Sequence, residues 1–170
     1  MLLIAVHFLG YKNSGKTTTI QQLTSHFVAH GKRVGVLKHI HKEKLELSAR
    51  FKDTQRFLDA GAQTVCALSR NELVFYLRER TLDDALELLK SFPLDFLFIE
   101  GYSTNERFFG IKCVVCAKSV DEAISLIDIH RQRKILAVTG ALRSKTNDIK
   151  GIPVLKLPRD LERLAQLVAS

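Results

Sequence analysis

The eight residues GYKNSGKT at positions 10–17 constrain this chain more than any other stretch, because they match G-x-x-x-x-G-K-[ST] in a telling place. Before them runs a nearly continuous apolar segment, residues 2–9 (LLIAVHFL); after them, residues 16–30 carry Ile20, Leu23, Phe27 and Val28 at helical spacing. Strand, loop and helix in that order form a phosphate loop. Gly10 lets the chain leave the strand sharply, and Gly15 admits close approach of the backbone to a ligand. The amides of Asn13, Ser14, Gly15, Lys16 and Thr17 can then converge on phosphate oxygens at the positive end of the helix dipole. Lys16 is expected to reach the β- and γ-phosphates, Thr17 to ligate Mg²⁺ through its hydroxyl, and Thr18 to contact the α-phosphate. Lys12 has two readings, a solvated loop lysine or one that reaches a phosphate across a dimer. For the whole motif the bland alternative is a glycine-rich turn without a ligand.

Residues 34–38 (VGVLK) read as a second strand, completing a βαβ unit with a right-handed crossover and parallel strands. Residues 53–60 read as a short helix, and residues 64–69 and 73–77, flanking Arg70-Asn71-Glu72, as a hairpin. A helix over Leu82–Ser91 carries Asp83 and Asp84 in its first turn, where carboxylates suit the dipole. Residues 95–99 (DFLFI), 111–117, 135–139 and 152–157 read as further strands, and residues 159–169 as a closing amphipathic helix. The alternation predicts an α/β fold, a three-layer P-loop NTPase sandwich with a mostly parallel sheet and an added β-hairpin. The 170 residues suffice for one core and no repeat or long linker divides them, so a single nucleotide-binding domain over 1–170 is expected.

With 46% apolar and 26% charged residues, the composition is that of a folded globular chain. The longest apolar stretch falls far short of the roughly 18–20 residues that span a bilayer. The start lacks the charged leader and cleavage site of a signal peptide. Three cysteines, Cys66, Cys113 and Cys116, are too few and odd for a disulfide framework. A cytoplasmic protein without membrane partners is expected. Lys and Arg outnumber Asp and Glu by 26 to 18, and residues 1–56 hold ten of the basic residues against only Glu43, Glu46 and Asp53. That concentration points to an anionic ligand in the first third, a nucleotide polyphosphate or, as the less favoured candidate, a nucleic acid.

A phosphate-loop site also needs a carboxylate for the magnesium shell. The apolar run Phe96–Ile99 ends in Glu100-Gly101, so Glu100 is expected to emerge at the end of a strand beside the first one. Asp53 is the second choice, and Asp95 should lie at the strand's opposite end. Lys38, His39 and His41 follow the second strand directly; if the strand persists, both histidines share a face and bind an anion, a metal, or only solvent. Cys113 and Cys116 have the spacing of a metal or redox pair, but three apart on a strand they point to opposite faces, so buried structural cysteines are expected. Arg131, Arg133 and Lys134 have two readings, a kinase-type lid or, since they lie just before a strand, the favoured solvated turn.

Four segments together resemble one known family, the molybdopterin-guanine dinucleotide biosynthesis protein B (MobB). They are GYKNSGKTT at 10–18, LKHIHK at 37–42, KDTQRFLDAGA at 52–62 and DFLFIEGY at 95–102, in the family's order and spacing. The resemblance covers the first hundred residues; beyond them only the order of strands and helices is similar. It implies a GTP-binding adaptor, usually a homodimer with weak GTPase activity, that assists the transferase attaching GMP to molybdopterin, with molybdopterin itself a candidate ligand. Carried over by position, Lys16 and Thr17 would hold phosphate and Mg²⁺, Glu100 would occupy the second nucleotide motif, and Lys38, His39, His41, Lys52 and Asp53 would belong to a signature segment near the cofactor. Ser48 and Phe51 depart from the acidic residue and glycine expected before Lys52. The strand ending at Thr139-Gly140 is not followed by the Asn-Lys-x-Asp pattern that reads guanine in many GTPases. No residue is assignable as an arginine finger or a positioner of attacking water, which implies slow hydrolysis. The rival readings are a small-metabolite kinase, a metal-delivery GTPase using His39 and His41, and a nucleic-acid module.

Overall fold

The structure is a computed structural model and describes residues 3–41 and 52–170. In chain order its principal elements are β1 (Ile4–Leu9), α1 (Lys16–Ala29), β2 (Val34–Lys38), α2 (Lys52–Asp59), β3 (Thr64–Leu68), β4 (Leu73–Leu77), α3 (Leu82–Lys90), β5 (Phe96–Glu100), β6 (Lys112–Cys116), α4 (Val120–Ile129), β7 (Ile135–Thr139), β8 (Asp148–Ile149), β9 (Ile152–Pro153) and α5 (Leu161–Ala169). They fall into two compact units, residues 1–39 with 93–170, and residues 40–92. None of the helices among the described residues is long and apolar enough to cross a membrane.

The first unit is built on a five-stranded parallel sheet of order β2-β5-β1-β6-β7. Its strands are apolar along nearly their whole length because both faces are covered. On one face Val6, Phe8, Phe96, Phe98 and Val114 pack against Ile20, Leu23 and Phe27 of α1 and Leu164 and Val168 of α5. Phe27 stacks on Phe96 with ring centroids 4.1 Å apart. On the other, Val115 and Val138 pack against Ala123, Leu126 and Ile127 of α4. Helices on both faces of a parallel sheet make the three-layer P-loop NTPase arrangement expected from the sequence.

α4 has no counterpart among the elements expected from the sequence. Its signals are local: Ser119 accepts from the Glu122 amide as an N-cap, with Asp121 and Glu122 in the first turn. Four of its ten residues are Val or Ile, which obscures the helical period in sequence because branched residues favour strands. The strand expected over residues 152–157 contracts to β9, because Pro153 has no amide to extend the ladder. Val154 bridges to Val138 and the Leu155 amide donates to the Val138 carbonyl at 2.8 Å, so this segment still lines the β7 edge. β5 begins one residue later than expected. The Asp95 carboxylate is engaged by the Arg33 amide at 2.7 Å and by its guanidinium, at the end of the strand away from Glu100. Those hydrogen bonds hold the Asp95 carboxyl below the usual range.

In the second unit β3 and β4 form the expected antiparallel hairpin, in register Thr64↔Leu77 through Leu68↔Leu73. α3 starts with a reciprocal capping box between Thr81 and Asp84.

Candidate functional site

Register fixes the site. β5 lies between β1 and β2, and Glu100, its last residue, is level with Phe8 of β1 and Lys38 of β2. All three strands therefore present their carboxyl ends together, where ligands bind in sheets of this kind. From β1 the chain turns through residues 10–15 into α1, whose N-cap is Gly15 and whose first turn has no side-chain cap and no acidic residue. Its first amides are donors at the positive end of the helix.

The loop tolerates no side chain at its glycines. A Cβ on Gly10 would lie 2.2 Å from the Cys116 carbonyl oxygen, and one on Gly15, at φ +91°, would lie 2.9 Å from Gly140. Asn13 adopts φ 63° and stands exposed at the tip. Ser14 is buried with its Oγ packed against Gly10, and its carbonyl accepts from the Ala141 amide at 3.0 Å. The loop is thus seated on the end of β7, a contact that nothing in the local sequence announces.

Lys16 curls over this loop and donates from Nζ to the Gly10 and Tyr11 carbonyls at 2.9 and 2.7 Å. Thr17 donates from Oγ1 to Glu100, 3.0 and 3.1 Å from its two carboxylate oxygens. The Lys38 ammonium stands 3.3 Å from Glu100 Oε2 and 3.5 Å from Thr17 Oγ1. Thr18 is exposed on the first turn of α1. β2 ends at Lys38: the His39 amide makes its last ladder bond, to the Glu100 carbonyl at 2.8 Å, and the His39 ring turns to stack on Tyr102 at 4.2 Å. His41 is exposed and belongs to the second unit, as does Asp53, whose carboxylate pairs with Arg56 at 3.1 Å. Lys52 opens α2; its side chain, like Ser48 and Phe51, lies outside the described residues.

Two further residues support the site. His7, the one polar side chain in the β1 run, is fully buried beneath the Glu100–Tyr102 turn. Arg133 donates from Nη1 to His7 Nδ1 at 2.8 Å; a guanidinium only donates, so Nδ1 accepts and the imidazole is the neutral Nε2–H tautomer. That Nε2–H donates to the Gly101 carbonyl at 2.5 Å. Arg133 also donates to the Ser103 carbonyl at 2.7 Å and lies over the Phe109 ring. The solvated turn expected around Arg131, Arg133 and Lys134 is therefore wrong for Arg133, which is only 7% exposed. A histidine inside an apolar strand was the signal that a buried partner existed.

Cys113 and Cys116 point to opposite faces, Cys116 Sγ to Thr19 Oγ1 at 3.8 Å and Cys113 Sγ to the Lys134 carbonyl at 3.6 Å. Burial pushes both thiols up to about 12, so they are inert packing groups. Among the described residues, no group of three or more His, Cys, Asp or Glu is placed to hold a metal. A hydroxyl and a carboxylate remain at Thr17 and Glu100, a hard-oxygen pair that fits Mg²⁺ sharing its shell with water and phosphate.

A parallel sheet with covered faces and a glycine-tight loop entering α1 define a protein of the P-loop NTPase fold. The sequence profile of the family described as molybdopterin guanine dinucleotide synthesis protein B matches residues 5–140, and the chain belongs to that family. A relative from Methanocaldococcus jannaschii, provisionally named a molybdopterin-guanine dinucleotide biosynthesis adapter protein, is 34% identical over 122 residues, which are 72% of this chain and 50% of the relative. One from Bacillus subtilis with a similarly provisional name is 28% identical over 152 residues, 88% of this chain and 83% of its own. The chain thus spans about half the length of the first of these relatives. A crystal structure of a molybdopterin-guanine biosynthesis protein B superposes with a TM-score of 0.71 at 26% identity, covering 97% of this chain and 96% of that one. The Bacillus subtilis MobB structure shares the fold, with a TM-score of 0.72 at 22% identity over 96% of this chain and 97% of its own.

Proposed function

We propose that this protein is a GTP-binding adaptor of molybdenum cofactor biosynthesis, serving the enzyme that joins GMP to molybdopterin and hydrolysing GTP only weakly on its own. The observation that carries the reading is the hydrogen bond from Thr17 to Glu100 at the mouth of the residue 10–17 loop. It joins the helix-start hydroxyl and the strand-end carboxylate that a Mg²⁺–triphosphate site requires. In this reading the amides of Asn13 to Thr18 hold the phosphates, Gly10 and Gly15 keep the cradle open, and the Lys16 ammonium leaves its loop carbonyls for the β- and γ-oxygens. Mg²⁺ supplies charge neutralisation between those phosphates. Thr17 and Glu100 orient its shell, and Lys38 and His39 line the same rim. His41, Lys52 and Asp53 belong to the segment that meets the partner's cofactor, molybdopterin.

The 170 residues act as one cytoplasmic nucleotide-binding domain with residues 40–92 inserted between β2 and β5. The exposed hairpin face, with Leu68 at 78% and Leu73 at 54% exposure across from each other, supports a homodimer that covers it. The test is calorimetric titration with GTP, ATP and XTP, each with and without Mg²⁺, followed by transferase assays with and without the protein. GTP binding strengthened by Mg²⁺, together with faster GMP transfer, is the expected result. Absence of heat with every nucleotide overturns the reading.

A further inference from the structure

The Lys38 ammonium touches the two groups that the proposed function gives to Mg²⁺. Its Nζ is 3.3 Å from Glu100 Oε2 and 3.5 Å from Thr17 Oγ1, while Thr17 donates its own proton to Glu100. The Thr17 hydroxyl therefore offers its lone pairs to the ammonium and its hydrogen to the carboxylate. That orients both oxygens towards a cation. The contact is built into the sheet, since Lys38 and Glu100 are register partners on adjacent strands. The Lys38 side chain is 48% exposed on a four-carbon stem, so its ion pair is weak and easily broken, whereas Glu100 is held at 13% exposure.

We propose that Lys38 is a tethered placeholder for the divalent cation: its ammonium keeps Thr17 and Glu100 aligned and is exchanged for Mg²⁺ when the nucleotide binds. The inference rests on the nucleotide reading and adds to it a competition. A monovalent and a divalent cation cannot occupy one pair of oxygens, because their mutual repulsion at such spacing outweighs the attraction they share. The displaced ammonium needs only a change of side-chain rotamer to turn from the carboxylate to solvent or, in a triphosphate complex, to the γ-phosphate. The bound complex then keeps Lys38's charge while Mg²⁺ takes its place.

The consequence is a measurable coupling between Lys38 and Mg²⁺. The experiment measures the affinity of the full chain for GDP and, in parallel, ADP, in excess Mg²⁺ and in EDTA, for wild type, Lys38→Met, Lys38→Arg and Glu100→Gln. A diphosphate keeps attraction of Lys38 to a γ-phosphate out of the readout. Exchange predicts that Lys38→Met increases the ratio of affinities with and without Mg²⁺ by at least threefold, that Lys38→Arg stays near wild type, and that Glu100→Gln collapses the ratio. Lys38→Ala repeats the first arm should the methionine variant fold poorly, as judged by circular dichroism. An unchanged or reduced ratio in both neutral variants, with wild type still binding nucleotide, overturns the exchange alone. Wild type that binds neither diphosphate overturns the exchange, and wild type that binds no purine triphosphate either overturns the nucleotide reading with it.

Discussion

Arg133 and His7 meet inside the protein, guanidinium Nη1 to imidazole Nδ1 at 2.8 Å, and through His7 the contact reaches the carbonyl of Gly101 next to Glu100. A charged side chain from the turn before β7 thereby braces the far end of β5 from beneath. Removing Arg133 leaves the buried His7 imidazole nitrogen without its donor, at a cost of about 1–3 kcal/mol. Arg133→Met should lower the urea midpoint accordingly, and Arg133→Lys should rescue it poorly because an ammonium lacks the fork. An unaltered midpoint in Arg133→Met would show that this brace is energetically idle.

Stability should also fall in mild acid. Burial, reinforced by the Arg133 charge and partly offset by the bond to Gly101, lowers His7 from the ordinary 6.5 to about 4. Below pH 6.5 the unfolded chain takes up a proton that folded His7 refuses, so stability is complete above 6.5, declines down to about 4, and levels off below. The span corresponds to about 3 kcal/mol. His130 is lowered by burial too, so the contribution of His7 is read as the difference in slope between wild type and His7→Gln in urea unfolding at a series of pH values. Parallel slopes would remove His7 as the source.

Lys16→Ala should weaken GTP binding about tenfold or more. It should change stability by less than about 1 kcal/mol, since the ammonium's present partners are loop carbonyls at a partly exposed site. Calorimetry and thermal melting on one preparation separate the two effects. Equal affinity in the variant would take Lys16 out of the phosphate site.

Gly10→Ala should fail differently. Its methyl group would lie 2.2 Å from the Cys116 carbonyl oxygen and 2.5 Å from Ser14 Oγ, so the loop must shift as a whole. A stability loss of about 1–3 kcal/mol accompanies the loss of nucleotide affinity. Retention of both, measured by melting and titration, would mean that the loop is more accommodating than its packing against β6 implies.

The hairpin face offers a test of the proposed homodimer. Phe75 is 49% exposed and is the cross-strand partner of Cys66. Phe75→Asp places a charge on that apolar face and should convert dimer to monomer in light scattering, with the melting behaviour of the first unit preserved. A dimer that survives the substitution at micromolar concentration must form through another surface.

Much of this was open to reading along the chain. The segment from Ile4 to Ala29 declared strand, loop and helix through apolar runs and two obligatory glycines, and the hairpin declared itself through alternation around Arg70-Asn71-Glu72. Glu100 was legible as a carboxylate closing an apolar strand. α4 escaped because Val120, Ile124, Ile127 and Ile129 resemble strand residues when taken one at a time. Arg133 escaped because a basic turn is solvated unless another segment buries it, and the burying residues, His7, Ser103, Phe108 and Phe109, lie elsewhere in the chain.

Periodicity, helix caps and glycine geometry act within a few residues, so the order of strands and helices, the phosphate loop and the identity of its lysine and threonine were already written in the amino-acid string. Strand neighbours are another matter, since they emerge from packing both faces of the whole sheet at once. Inserting β5 between β2 and β1 sets Thr17 against Glu100, 83 positions away, and against Lys38, 21 positions away. That placement, and the burial that keeps His7 neutral beneath it, came from folding, because desolvation and side-chain meeting depend on distances in space that spacing along a chain does not encode.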